Sequence, residues 1–280
     1  MSLLARCSVT AMIGFALGMP WALALDAPPE PKPPQVIADG LVLHQAKVAE
    51  GRLATYLRVD LESSVRVLSA LLPRKDDKAQ AAPERAARGF FLNDYRTLQN
   101  AEAVLSGGYI ASFSPPTPLG LIKSDWTVVN APHESWLTDG YFCSEPGRAQ
   151  IQRWIDLAAF RDCLQAGPIL LLQGEPPKDL GRSRRPGSYK KLENSVQEQA
   201  FICTVMPNEL ILGVTDKINL PALVDFLSRK ETGCTDAIRL TGEQTAGLVL
   251  SDKEFGHDDY LFPSVIAVMP SLSECTPKGA

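Results

Sequence analysis

Apolar and polar positions alternate along much of the chain. Between residues 53 and 61, Leu53, Thr55, Leu57, Val59 and Leu61 recur at every second position, which puts them on one face of an extended strand. Val36 to Val48 alternates in the same way. Val65 to Leu71, Ala101 to Leu105, Ile169 to Leu172, Cys234 to Leu240 and Ser264 to Met269 are shorter runs that predict strands, and Leu119 to Val129 contains another. Phe201 to Val205 and Glu209 to Val214 predict a hairpin turning at Pro207-Asn208. Three segments read as helices. Glu84 to Gln99 is one, weakened by Gly89; Gln150 to Cys163 is the second, with Ile151, Ile155, Leu157 and Ala158 at helical spacing. The third is Pro221 to Lys230, with proline in the first turn. Strands predominate and do not alternate strictly with helices. The expected fold class is therefore α+β, a single domain with a mixed β-sheet and flanking helices, rather than a doubly wound α/β fold.

The ends of the chain read differently. Arg6 is the only charge before Asp26, Ser8 to Trp21 is apolar or small, and Ala22-Leu23-Ala24 follows. A basic start, a short apolar stretch and small residues at the cleavage positions predict a secretory signal peptide over residues 1–24. The stretch is shorter than the roughly 20 apolar residues that a membrane span needs. Residues 25–35 carry five prolines, the signature of an extended linker. A domain from 36 to 275 accounts for the rest. The expected location is outside the cytoplasm, periplasmic or extracellular, with no membrane span.

Composition narrows the function. With 280 residues and 45% hydrophobic content the chain can build a core, and a net charge of -4 argues against a nucleic-acid partner. Three histidines and six cysteines without a CxxC pair predict no metal site and no cofactor. Losing the signal segment removes Cys7 and leaves an odd number of cysteines, so at least one of Cys143, Cys163, Cys203, Cys234 and Cys275 stays outside any intrachain pairing. The pairing itself is open.

The generic catalytic signatures GxSxG, HExxH, GxGxxG and the phosphate-binding loop are absent from the sequence. Three glycine-centred turns stand at strand ends: Ser106-Gly107-Gly108-Tyr109, Gln165-Ala166-Gly167-Pro168 and Thr241-Gly242-Glu243-Gln244-Thr245. Glycine lets backbone N–H groups approach an anion closely, although each glycine by itself also serves as an ordinary turn residue.

Taken in order, these turns resemble the phosphodiester glycosidase family. The family shows Asn-Gly-Gly-Phe-Phe after a strand and then a Pro-x-Gly turn, matched by Ser106 to Ile110 and by Pro118-Leu119-Gly120. It then shows Gln-Ala/Ser-Gly-Pro before a strand, matched by Gln165 to Pro168. A segment Gly-Cys-x-Asp-Ala-x-x-Leu-Asp-Gly-Gly-x-Ser is matched by Gly233 to Thr245, and the closing strand by Leu261 to Val268. The resemblance runs from about Ile37 to Val268 and is best from Gly233 to Leu240. It implies a hydrolase acting on a sugar-1-phosphodiester or an envelope glycan. The implied substrate-binding residues are Ser106, Gly107, Gly108, Tyr109, Gln165, Gly167, Gly242 and Thr245.

The departures fall in the same turns. Ser106 replaces the family's Asn, Thr241 its Asp and Glu243 its second Gly, while Gln199-Ala200 stands where an Arg followed by Ser or Thr is usual. Glu243, two residues beyond Thr241, becomes the candidate catalytic carboxylate. The alternative is a catalytically degenerate relative that binds a glycan or an envelope protein. Further candidates are the basic run Gly181 to Lys191, His133 as an acid–base group, and Trp126, Trp136 and Trp154 as sugar-stacking aromatics. Asp236 reads as a turn residue, and His257, Asp258 and Asp259 lack a third ligand type.

Overall fold

A computed structural model describes residues 29–62, 64–69, 89–178, 180, 191–205 and 208–270. The signal segment, the charged connector Pro73 to Pro83, residues 84–88 of the first expected helix, basic residues 181–190, Pro207 and Cys275 lie outside the described residues.

Seven antiparallel strands form the largest sheet: β1 (Gln35–Ala38), β2 (Leu41–Ala49), β3 (Arg52–Asp60), β13 (Ile169–Leu171), β14 (Gln197–Val205), β15 (Glu209–Ile218) and β16 (Cys234–Gly242). Their spatial order is β1-β2-β3-β15-β14-β16-β13. A five-stranded sheet holds β4 (Ser64–Ser69), β5 (Ala103–Ser106), β17 (Gly247–Leu250), β18 (Glu254–Gly256) and β19 (Ser264–Met269), in the order β18-β17-β5-β19-β4. Another holds β8 (Ile122–Ser124), β9 (Thr127–Asn130), β10 (Gly140–Glu145), β11 (Arg148–Gln152) and β12 (Asp162–Ala166), in the order β11-β10-β12-β8-β9. A small hairpin joins β6 (Ile110–Phe113) to β7 (Pro116–Pro118).

The α+β expectation is overturned. Of the described residues, 52% are strand and 12% helix, and the large sheet curls into a half-barrel. Two eight-residue helices are present, α1 (Leu92–Gln99) and α2 (Leu220–Leu227). The helix expected over Gln150 to Cys163 is instead the end of β11, a 3-10 turn at Leu157–Ala159 and the start of β12. Ile151 is buried on β11, whereas Ile155 and Leu157 belong to the crossing loop and pack with Phe160 over the Cys143–Cys163 pair. A strand end and a loop covering a sheet together reproduce a helical spacing.

The main core lies between the concave face of the large sheet, with Leu57, Val59, Ile202, Leu212 and Ile238, and residues such as Phe142, Leu164, Leu105 and Ile266 of the two smaller sheets. Alternation along β3 sends Ala54 and Tyr56 to the opposite face. There, with Phe201 and Ile211, they are covered by Leu220, Leu223, Phe226 and Leu227 of α2. Asn219 caps that helix by accepting from the Ala222 N–H at 3.0 Å. The other helix, α1, packs Leu92 and Tyr95 on Val104, Val249 and Val265, and its first N–H groups are taken by the carboxylate of Asp258.

The two smaller sheets meet at β4. The carbonyls of Val65 and Val67 accept from Ser144 Oγ (2.8 Å) and Ser124 Oγ (2.6 Å), and Arg66 Nε donates to buried Asp162 at 2.7 Å. Asp162 also accepts from Arg161 Nε at 2.9 Å and from the Asp125 N–H at 2.7 Å. Disulfides join Cys143 to Cys163 across β10 and β12, and Cys203 to Cys234 across β14 and β16.

Candidate functional site

A cleft of about 480 Å³ opens at the end of β14 and β16. Its walls include Tyr109, Phe113, Trp136, Lys191, Arg239 and the turn Thr241 to Thr245. Arg239 is the feature that sets it apart. It sits mid-strand in β16, 1% exposed, in a segment whose neighbours Ala237, Ile238 and Leu240 are also buried.

Arg239 is held from three sides. Its backbone N–H donates to Pro168 O at 3.1 Å, so the Gln165 to Pro168 turn fixes the strand that bears it. Its Nε donates to the Oε1 of Gln199 on β14, and its guanidinium carbon lies 5.2 Å from the centre of the Tyr109 ring. A β-bulge leaves Leu240 and Thr241 together opposite Ala200, which turns the chain just where the cleft begins. At Gly242 a Cβ would lie 2.0 Å from Arg239 Nη2 and 2.7 Å from the Glu198 carbonyl, so only glycine lets the guanidinium rest against the chain there.

Two donors remain unspent. Arg239 Nη1 and the Tyr109 hydroxyl are both buried and make no hydrogen bond. Buried donors without an acceptor cost free energy. Burial pulls the Arg239 pKa down to about 9, and the negative charge of Glu243 opposes that shift. Arg239 is thus a cation at neutral pH.

The structure distributes the sequence-expected site residues over two roles. Tyr109, Gly242, Glu243 and Thr245 line the cleft. Ser106 is buried, its Oγ accepting from the Gly247 N–H at 3.2 Å. Gly107 and Gly108 let their turn approach the Ser264 and Gln165 carbonyls, to which a Cβ would come within 2.5 and 3.0 Å. Gln165 spends its amide on the protein. Its Oε1 accepts from the Leu121 and His133 N–H groups, while its Nε2 donates to the His133 and Thr138 carbonyls and the Tyr141 hydroxyl. It thereby fixes the loop that carries Trp136 into the cleft. At Gly167 a Cβ would lie 2.5 Å from Asp139 Oδ1, at the end of the same loop. The three glycine turns therefore meet around Arg239: the first lines the cleft through Tyr109, the second supports it, and the third lines it.

At the positions that depart from the family pattern, Thr241 Oγ1 is hydrogen-bonded to Thr245 Oγ1 at 2.5 Å, a hydroxyl pair where the family has a carboxylate. Glu243 is exposed on the rim and has φ of 55°, a left-handed backbone that accounts for glycine in the family pattern there. Gln199, which stands where the family pattern has Arg, accepts from Arg239 on the neighbouring strand.

The other candidates fall elsewhere. Trp126 and Trp154 are 57% and 85% exposed and outside the cleft, whereas Trp136 lines it. Asp236 accepts from the Gln173 N–H at 2.9 Å and is structural; Asp258 caps α1. Among the described residues no group of three or more His, Cys, Asp or Glu side chains could hold a metal ion.

No family model matches the chain, and no curated protein matches it. Solved structures do match, and they define the fold class. The zebrafish N-acetylglucosamine-1-phosphodiester alpha-N-acetylglucosaminidase catalytic domain, auto-inhibited by its pro-peptide, is 16% identical with a TM-score of 0.61, over 78% of this chain and 77% of that one. A hypothetical protein from Synechocystis is 13% identical with a TM-score of 0.66, over 87% of this chain and 64% of that one. A candidate exported protein of Burkholderia pseudomallei is 10% identical with a TM-score of 0.57, over 81% and 74%. At these identities the chain is distantly related in fold to the three.

Proposed function

We propose that the protein is an exported phosphodiester glycosidase-like hydrolase whose cleft takes a sugar-1-phosphodiester or a related anionic envelope glycan. The observation that carries this reading is the buried Arg239 with its unspent Nη1, beside the unspent Tyr109 hydroxyl. The phosphate fits these donors, and the faces of Trp136, Phe113 and Tyr109 offer walls for a sugar ring. The fold shared with the zebrafish enzyme's catalytic domain and the two disulfides, which suit an oxidising compartment, support the same reading.

Cleavage at the sugar carbon requires water to form a bond to that carbon while the bond to the phosphate oxygen breaks. The electron pair leaves with the phosphate. A phosphate monoester is a good leaving group, so stabilising its developing charge matters more than protonating it, and Arg239 is placed for that task. Glu243, the carboxylate on the cleft wall, accepts the proton from the attacking water.

Assay of the exported protein on sugar-1-phosphodiesters tests the proposal. Release of free sugar is expected, with Glu243→Gln slowing it about 100-fold. No release from any such diester sinks hydrolysis. The Thr241–Thr245 hydroxyl pair, standing where the family has a carboxylate, favours a second reading in which the cleft binds such a ligand without cleaving it. Calorimetry with sugar phosphates separates the two, since binding without turnover supports the second and no binding defeats both.

A further inference from the structure

Gln199 is fully buried, and both ends of its amide are committed. Its Oε1 accepts from Arg239 Nε, its Nε2 donates to the Ile218 carbonyl at 3.2 Å, and its backbone N–H donates to Thr215 Oγ1 at 3.2 Å. The amide is thus locked between β15 and β16, with one orientation open to it. Among the hydrogen bonds and ion pairs of Arg239, its side-chain partner is this neutral amide. Glu243 acts on the cation only through its field and stands exposed on the rim.

A buried arginine is ordinarily paired with a carboxylate, because an unneutralised charge in a low-dielectric site is costly. The amide of Gln199 has the shape of a glutamate, accepts the same hydrogen bond and carries no charge. It fixes the guanidinium without cancelling it. We propose that Gln199 is the positioning residue that keeps Arg239 an unspent cation, and that this neutrality makes the cleft require a negatively charged ligand. Turning Gln199 into a carboxylate closes the charge account of the site from within and removes the reason for an anion to enter. The inference rests on the sugar-phosphate reading only for the choice of probe.

The test compares the parent with Gln199→Glu and Gln199→Met. Urea unfolding without ligand and calorimetric affinity for glucose 1-phosphate are measured for each. Gln199→Glu loses the donor to the Ile218 carbonyl but pairs a carboxylate with the uncancelled cation, so it is expected to unfold at a higher urea concentration than Gln199→Met, which also loses that donor. Gln199→Glu is expected to bind glucose 1-phosphate at least about tenfold more weakly than the parent, the scale of one charge-assisted contact. Gln199→Met keeps the volume and the cation but loses both the acceptor for Arg239 and the donor to the Ile218 carbonyl. It is expected to unfold earlier than the parent and to bind within about fivefold of it, because long-range attraction to the cation persists. A residue that merely filled space would not separate stability from affinity in this way.

Undiminished binding by Gln199→Glu overturns the inference. So does unfolding of Gln199→Glu at lower urea than Gln199→Met, which would show that no unspent cation waits beside the side chain. If the parent binds no sugar phosphate, the proposed function fails separately. The order of the two variants' unfolding midpoints then decides the inference alone, with Gln199→Glu above Gln199→Met upholding it and Gln199→Glu at or below Gln199→Met refuting it.

Discussion

Arg239 and Glu243 show how much of the site rests on single backbone and side-chain choices. Burial lowers the folded-state pKa of Arg239 to about 9, well below its ordinary value, so its charge is full at neutral pH and fades as pH rises through 9. Anion affinity carried by this cation is therefore expected to be flat around neutrality and to fall above about pH 9, by up to tenfold per further pH step. Calorimetric titration checks this: affinity that stays level to about pH 10.5 would show that the Arg239 guanidinium keeps its proton through that range. Glu243 holds a left-handed backbone that suits glycine better, at a cost on the order of 1 kcal/mol. Glu243→Gly is expected to raise stability by about that amount in urea while lowering turnover, the trade expected where strain serves function. A loss of stability would show that the carboxylate holds the turn together.

At the scale of elements, β4 depends on polar side chains reaching across from another sheet. Asp162 on β12 gathers Arg66, Arg161 and the Asp125 N–H. Asp162→Ala leaves Arg66 and Arg161 without that carboxylate, and a loss of about 3 kcal/mol in chemical denaturation is expected. A change below about 1 kcal/mol would mean that the serine bonds to β4 suffice.

Elements are also where the sequence was most and least legible. Period-two alternation marked β2 and β3, apolar runs marked β5, β13 and β19, and the proline-led start marked α2. Strands such as β7 and β18 are three residues long, too short to display a period, so the sequence understates the strand content. Of the site, Tyr109 and the Gly242 turn were legible through the motif order. For Arg239 the signal is its setting: an arginine amid Ala237, Ile238 and Leu240 is a buried charge that must meet something. What it meets depends on strand pairing, which brings Gln199 beside it from forty residues away.

Across the whole molecule, the described chain is three sheets and a small hairpin around one main core, with the cleft at the end of the two neighbouring strands that carry Gln199 and Arg239. The Cys203–Cys234 bond ties those same strands together and closes a segment of 31 residues. Replacing both cysteines by alanine is expected to lower stability by roughly 3 kcal/mol, seen as an earlier unfolding midpoint under non-reducing conditions. An unchanged midpoint would show that the β14–β16 ladder needs no covalent help. Among the described residues no helix is long and apolar enough to cross a membrane.

The placement of the tryptophans gives this protein a built-in optical reporter. Trp126 and Trp154 are open to solvent and away from the cleft, so a soluble quencher such as acrylamide reaches both whether or not the cleft is filled. Trp136 stands half-buried in the cleft wall, on the loop that Gln165 anchors. Filling the cleft with glucose 1-phosphate is expected to shelter the Trp136 share of the emission from acrylamide, an effect that Trp136→Phe abolishes while leaving the quenching of Trp126 and Trp154 unchanged. If saturating ligand protects the emission equally in the Trp136→Phe variant, the ligand sits elsewhere. Occupancy of the site can thus be followed in the unlabelled protein by light alone, before any substrate is known.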